Sequence, residues 1–189
     1  MTWLLLALLL TQADEVEAST WTRAEWDAWI AKTESEIKRL SPNDFPGLPS
    51  NIRRDLIKRE CTIPQVGGNS RPHNVVSGYF QRPSRTDWAV LCSVDRTSRI
   101  LLYPGGQIES LFEMPDSARP DRDWFQTGIG FSRAIASADS ESIIGRYKAY
   151  GGPQPPPIDH EGLEEIFAGK ASTIHYWHEG SWLPLQGAD

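Results

Sequence analysis

The residues best equipped for chemistry lie near the carboxyl end, where His175-Tyr176-Trp177-His178-Glu179 offers two imidazoles and a carboxylate. Zinc proteases hold their metal with two histidines four residues apart on a helix, so that both rings share a face. Here the spacing is three, and the β-branched and aromatic composition predicts a strand, which sends the two rings to opposite faces. No metal site is expected. Asp159-His160-Glu161 is the second constellation. A carboxylate beside an imidazole orients it for general-base work, which makes Asp159, His160 and Glu161 the candidate catalytic residues. No nucleophile is marked beside them, since the chain has no G-x-S-x-G elbow. Asp159 is equally placed to cap a short helix over 162–167, with Glu161 favourable in its first turn, and capping is the preferred expectation.

Tryptophan is the third signal. All eight except Trp3 lie beyond the amino-terminal segment. Trp177 and Trp182 flank a Glu179-Gly180 turn and are expected to face one another across a closing hairpin. Packing within the sheet is the first reading of this pair. With His175 they also form a candidate binding surface for a carbohydrate or a protein. Cys61 and Cys92 are the only cysteines and permit one pairing. In an oxidising compartment such a pair bridges, and closing a loop of roughly 30 residues stabilises by about 3.5 kcal/mol. Neither cysteine sits in a zinc or C-x-x-C redox spacing, and no cofactor motif is present.

The elements that position these residues begin with a helix. Thr22 and Glu25 have capping-box spacing. Trp26, Trp29, Ile30, Thr33, Ile37 and Leu40 recur at helical steps as a core-facing stripe, ended by Ser41-Pro42. Ser50 caps a second helix over 51–60, with Cys61 at its end, so the disulfide ties it to the sheet. Strands are expected over 75–80, 88–93, 100–103, 109–114 and 127–136, with a turn at Tyr103-Pro104-Gly105-Gly106. Ser140 caps a helix over 141–150, a four-proline loop follows, and strands over 172–178 and 181–185 close the chain. The class is α+β, an antiparallel sheet of about five to seven strands with three or four helices packed on it.

Residues 1–18 read as a signal peptide. The apolar run Trp3–Leu10 is shorter than the roughly 20 residues a membrane span needs, and cleavage is expected after Ala18, with Ala13 as the alternative. Residues 19–189 then form a single globular domain, secreted or periplasmic, with no membrane span. Removing Asp14, Glu15 and Glu17 takes the formal charge from −6 to −3. That balance gives no electrostatic reason to expect a nucleic-acid partner. The densest basic run, Arg53-Arg54 with Lys58-Arg59, is expected to be a solvated helix face rather than a phosphate or anionic-lipid site.

Two resemblances accompany this reading. Val76-Ser77-Gly78-Tyr79-Phe80 with Thr86-Asp87-Trp88-Ala89-Val90 resembles one FG-GAP-type strand–turn–strand unit; only Asp87 matches its calcium-ligand positions, so calcium is not carried over. Cys61-Thr62-Ile63-Pro64-Gln65, Asp87 to Ser93, Asp159-His160-Glu161-Gly162 and the Gly180-Ser181-Trp182…Gly187-Ala188-Asp189 ending look like a group of uncharacterised secreted bacterial proteins. That resemblance implies an exported protein with a Cys–Cys bridge and no particular activity. The functional expectation is an exported binding or interaction domain. The alternatives are a hydrolase of an envelope or extracellular polymer and an inhibitor of a secreted enzyme.

Overall fold

The computed structural model describes residues 21–67, 71–125 and 128–188. The apolar run Trp3–Leu10, both cleavage positions and Thr127 lie outside the described residues. The chain divides into two compact units, one up to Glu36 and one from Ile37 onward.

In the first unit, α1 spans Arg23–Ser35. The capping box forms as expected. Glu25 takes hydrogen bonds from the Thr22 N–H at 2.6 Å and Thr22 Oγ1 at 2.8 Å, and its N–H donates to Thr22 Oγ1 at 3.3 Å. The backbone bond to Thr22 is the main reason its carboxyl is held below the usual range. The stripe does not behave as expected. The helix ends at Ser35, and none of its residues is buried. Trp21, Trp26 and Trp29 pack edge-on against one another with centroids 5.1 to 5.8 Å apart. Leu40 leaves the helical pattern because β1 (Arg39–Leu40) pairs with β2 (Ile63–Pro64), a contact distant in sequence.

The second unit holds two larger antiparallel sheets. β3 (Val75–Gly78), β4 (Asp87–Val94), β5 (Thr97–Tyr103) and β6 (Phe112–Glu113) follow one another across the first, and β7 (Arg119–Pro120) pairs with the other end of β5. A two-stranded ribbon, β8 (Asp123–Phe125) and β9 (Gly128–Gly130), leads to the second. That sheet runs β10 (Arg133–Ala138), β11 (Gly162–Phe167), β12 (Ala171–His178) and β13 (Ser181–Gln186) in order. The mixed α+β class holds, but the strands divide among separate sheets instead of forming one.

Side-chain alternation explains the layering. Ala89, Leu91, Ile100 and Leu102 point from the first sheet into a core shared with Ile135 and Leu163 of the second. Their neighbours Val90, Cys92, Leu101 and Tyr103 point the other way, onto Ile52 and Leu56 of α2 (Ser50–Lys58). Covered on both faces, β4 is buried almost continuously. The outer face of the second sheet places Ile174, Tyr176 and Leu185 against Ile143 of α3 (Ser140–Tyr150). Asn74 stitches the sheets together. Its amide nitrogen donates to the carbonyls of Pro64 at 2.7 Å and Arg133 at 3.2 Å, and its oxygen accepts from the Ile135 N–H at 3.0 Å. The Cys61–Cys92 disulfide forms and ties the residues following α2 to β4.

Several local expectations change. Ser50, expected to cap α2, is already helical; the cap position is Pro49, which makes no side-chain cap hydrogen bond. The cap of α3 is Asp139, whose Oδ1 takes the Ser142 N–H at 2.8 Å, with Ser140 already helical. The segment 109–114 is a single turn of tight helix over Ile108–Ser110 followed by the two residues of β6. The helix expected over 162–167 is strand β11. A partner on each edge gives it two ladders of backbone hydrogen bonds, which outweigh the weak helical tendency of so short a piece.

Candidate functional site

The alternation of β12 sends Thr173, His175 and Trp177 to the inner face of the second sheet and Ile174 and Tyr176 to the outer one. The hairpin closes at Glu179 (φ 48°) and Gly180 (φ 84°), the pair of left-handed residues that a tight two-residue turn requires. Its register sets Trp177 opposite Trp182, and the two indoles meet edge-on with centroids 5.3 Å apart. Phe112 on β6 lies 6.2 Å from the Trp182 ring. Between these elements opens a cleft of about 970 Å³. Its apolar lining includes Phe112, Met114, Phe167, Trp177 and Trp182, and its polar lining includes Gln81, Arg85, Arg119, Glu165 and His175. The three residues expected to form a binding surface, His175, Trp177 and Trp182, all line it.

Glu165 and His175 form the polar centre. One carboxylate oxygen of Glu165 accepts from Arg133 Nε at 2.6 Å, and the other lies 3.1 Å from His175 Nε2. Arg133 is buried, 3% exposed, and its Nη1 also donates to the carbonyl and hydroxyl of Ser98. Burial alone would raise the Glu165 carboxyl. The bond from His175 and the charge and bond of Arg133 reverse that and hold it below its usual range. Burial likewise lowers the Arg133 guanidinium, with Glu165 opposing it.

Asp87 shapes another side of the cleft. Its buried carboxylate takes the N–H groups of Gln81 at 3.0 Å and Gly105 at 2.8 Å and the Arg85 Nε at 2.9 Å. Arg85 in turn donates to Gln81 Oε1 at 2.6 Å. The position shared with the strand–turn–strand resemblance is thus occupied in holding two cleft residues.

Of Asp159, His160 and Glu161, the first two approach to 3.8 Å between Asp159 Oδ1 and His160 Nε2, while Glu161 is engaged elsewhere. With no helix after them, Asp159 caps nothing; its exposed carboxylate accepts from Tyr176 OH at 3.0 Å. His160 stacks on the Tyr176 ring at 4.3 Å, and its two nitrogens lie 2.9 Å from the carbonyl oxygens of Glu161 and Trp177. Glu161 turns away, accepting from the Tyr79 N–H and from Ser137 Oγ, each at 2.7 Å. The segment braces the outer face of β12, behind the strand that carries Trp177 and His175.

No family model, no curated protein and no solved structure matches this chain. Among the described residues no three His, Cys, Asp or Glu side chains are grouped to hold a metal ion. Among them also, no helix is long and apolar enough to cross a membrane.

The residues missed from sequence are Glu165, Phe167, Arg85, Arg119 and Phe112. The signal for the first two was present. Read as a strand, Leu163, Glu165 and Phe167 alternate with Glu164 and Ile166, and the inner set contains the cleft acid. Arg119 and Phe112 sit on two-residue strands that carry no period to detect.

Proposed function

We propose that this is an exported binding domain that takes a segment of carbohydrate chain in the cleft between its two sheets. The paired indoles of Trp177 and Trp182, beside the Glu165–His175 pair, carry this reading. A sugar ring has an apolar C–H face and a hydroxyl edge, and a cleft with aromatic walls and a few fixed polar groups complements both. The disulfide supports an oxidising compartment, in keeping with the signal-like amino terminus.

The test is a tryptophan-fluorescence titration with soluble neutral trisaccharides: cellotriose, maltotriose and triacetylchitotriose. Saturable quenching that disappears in Trp177→Ala, with the urea midpoint little changed, is the expected result. A flat titration for all three, or an identical one in the variant, would sink the reading.

One observation favours hydrolysis as a second reading. The Nε2 of His175 is held by a carboxylate, and its Nδ1 has no hydrogen bond among the described residues, which is the form of a general base. Release of 4-nitrophenolate from 4-nitrophenyl acetate, lost in His175→Ala, would support it.

A further inference from the structure

The tautomer of His175 follows from its partner. An ionised carboxylate has lone pairs and no proton to give, so the nitrogen facing Glu165, Nε2, carries the hydrogen. Arg133 secures the ionised state from the opposite side, 2.6 Å from the other oxygen. In its uncharged form the ring so oriented has its lone pair on Nδ1, and His175 lines the cleft. The group that satisfies such an acceptor is a hydroxyl or an N–H. A carboxylate or phosphate would meet lone pair with lone pair, beside the negative charge of Glu165.

The charges around the cleft balance. Among the described residues, the ionisable lining side chains other than His175 are Arg85 and Arg119 against Asp116 and Glu165. Arg85 is further paired with the buried Asp87, and Glu165 with the buried Arg133. No net field of one sign is available to draw in a charged ligand. From these two relationships we infer that the cleft selects an uncharged, hydroxyl-bearing glycan segment, one hydroxyl of which donates to His175 Nδ1. This rests on the carbohydrate reading above and narrows it.

The experiment uses the full protein and compares the three neutral trisaccharides with trigalacturonate, an acidic chain of the same length. At least one neutral chain should bind about tenfold or more tightly than trigalacturonate, the scale set by an unmatched polar group in a binding site. His175→Phe, which keeps a flat ring but removes the acceptor, should weaken the neutral chain by about tenfold, and His175→Gln, whose carbonyl can accept, should recover part of it. Melting curves of both variants separate a binding loss from a folding loss. Trigalacturonate binding as tightly as the best neutral chain overturns the selectivity while leaving the cleft reading standing. So does a well-folded His175→Phe protein with unchanged affinity. If none of the four chains binds, the carbohydrate reading falls and this inference falls with it.

Discussion

Glu165 Oε2 lies 3.1 Å from His175 Nε2, so a carboxylate anchored on a buried arginine sets the orientation of the one imidazole that lines the cleft. The pair sits on adjacent strands, Glu165 on β11 and His175 on β12. Its geometry is therefore as rigid as the sheet.

Removing one member of the buried ion pair should be costly. Glu165→Ala leaves the Arg133 guanidinium, 3% exposed, without its carboxylate, a change that costs about 3–5 kcal/mol. The double substitution Arg133→Met with Glu165→Leu should recover most of that loss, because a well-packed apolar pair avoids the desolvation of both charges. Urea unfolding of the two single variants and the double variant measures the coupling. Additive losses would mean that the pair does not act as a unit.

The same carboxylate predicts an acid limb to stability. Its folded pKa is lowered, chiefly by His175 and Arg133 acting against burial, so the folded state binds its proton more weakly than the unfolded chain. The stabilisation is complete above the unfolded carboxylate value, about pH 4.3, and is lost as the pH falls through the lower folded value. Melting temperatures from pH 7 downward should fall less steeply in the double variant than in the wild type. Superimposable profiles would remove Glu165 as the source.

Glu161 and Asp159 should part company. Glu161→Ala removes the shared acceptor of the Tyr79 N–H and the Ser137 hydroxyl, two hydrogen bonds in exposed positions, at a cost of about 1 kcal/mol. Asp159→Ala removes a 71% exposed carboxylate and should stay within about 0.5 kcal/mol. The reverse order, measured by thermal unfolding, would restore Asp159 as a helix cap.

Gly162→Ala discriminates strand from helix at 162–167. In a helix the change is favourable. In β11 the new Cβ would stand 2.6 Å from Ile174 Cγ2 and 3.5 Å from Ile143 Cδ1, and such overpacking costs about 1–3 kcal/mol. A stabilised variant would contradict the strand.

Reducing the Cys61–Cys92 bridge should lower stability by about 3.5 kcal/mol, the value for a loop of this size. Differential scanning calorimetry with and without reductant provides the check. An unchanged transition would mean that the bridge does not constrain the unfolded chain.

Local chemistry was legible at several places where the deciding partner lay nearby in sequence, though the cap of α3 was misplaced by one residue. The Thr22/Glu25 capping box, the disulfide pairing, the closing hairpin and the facing of Trp177 and Trp182 depend on a few adjacent residues or on a choice of one. His175 and Trp177, two residues apart on β12, share the face that lines the cleft, as alternation along a strand requires.

What tertiary structure decided depends on partners far away in the chain. Glu164-Glu165 falls in the segment expected to be a short helix, yet both side chains are buried in a strand, one against Ser172 and the other against Arg133 and His175. Only pairing with β10 and β12 turns the segment into a strand and makes burial of those charges tolerable. Leu40 is drawn from a helical stripe into β1 by Ile63 in the same way. The sequence alone determined the Thr22/Glu25 capping box, the closing hairpin and the single disulfide, since each is a matter of spacing along the chain. The division into two sheets and the cleft between them were decided by long-range strand pairing, because the hydrogen bonds that select one register over another join residues that no local pattern brings together.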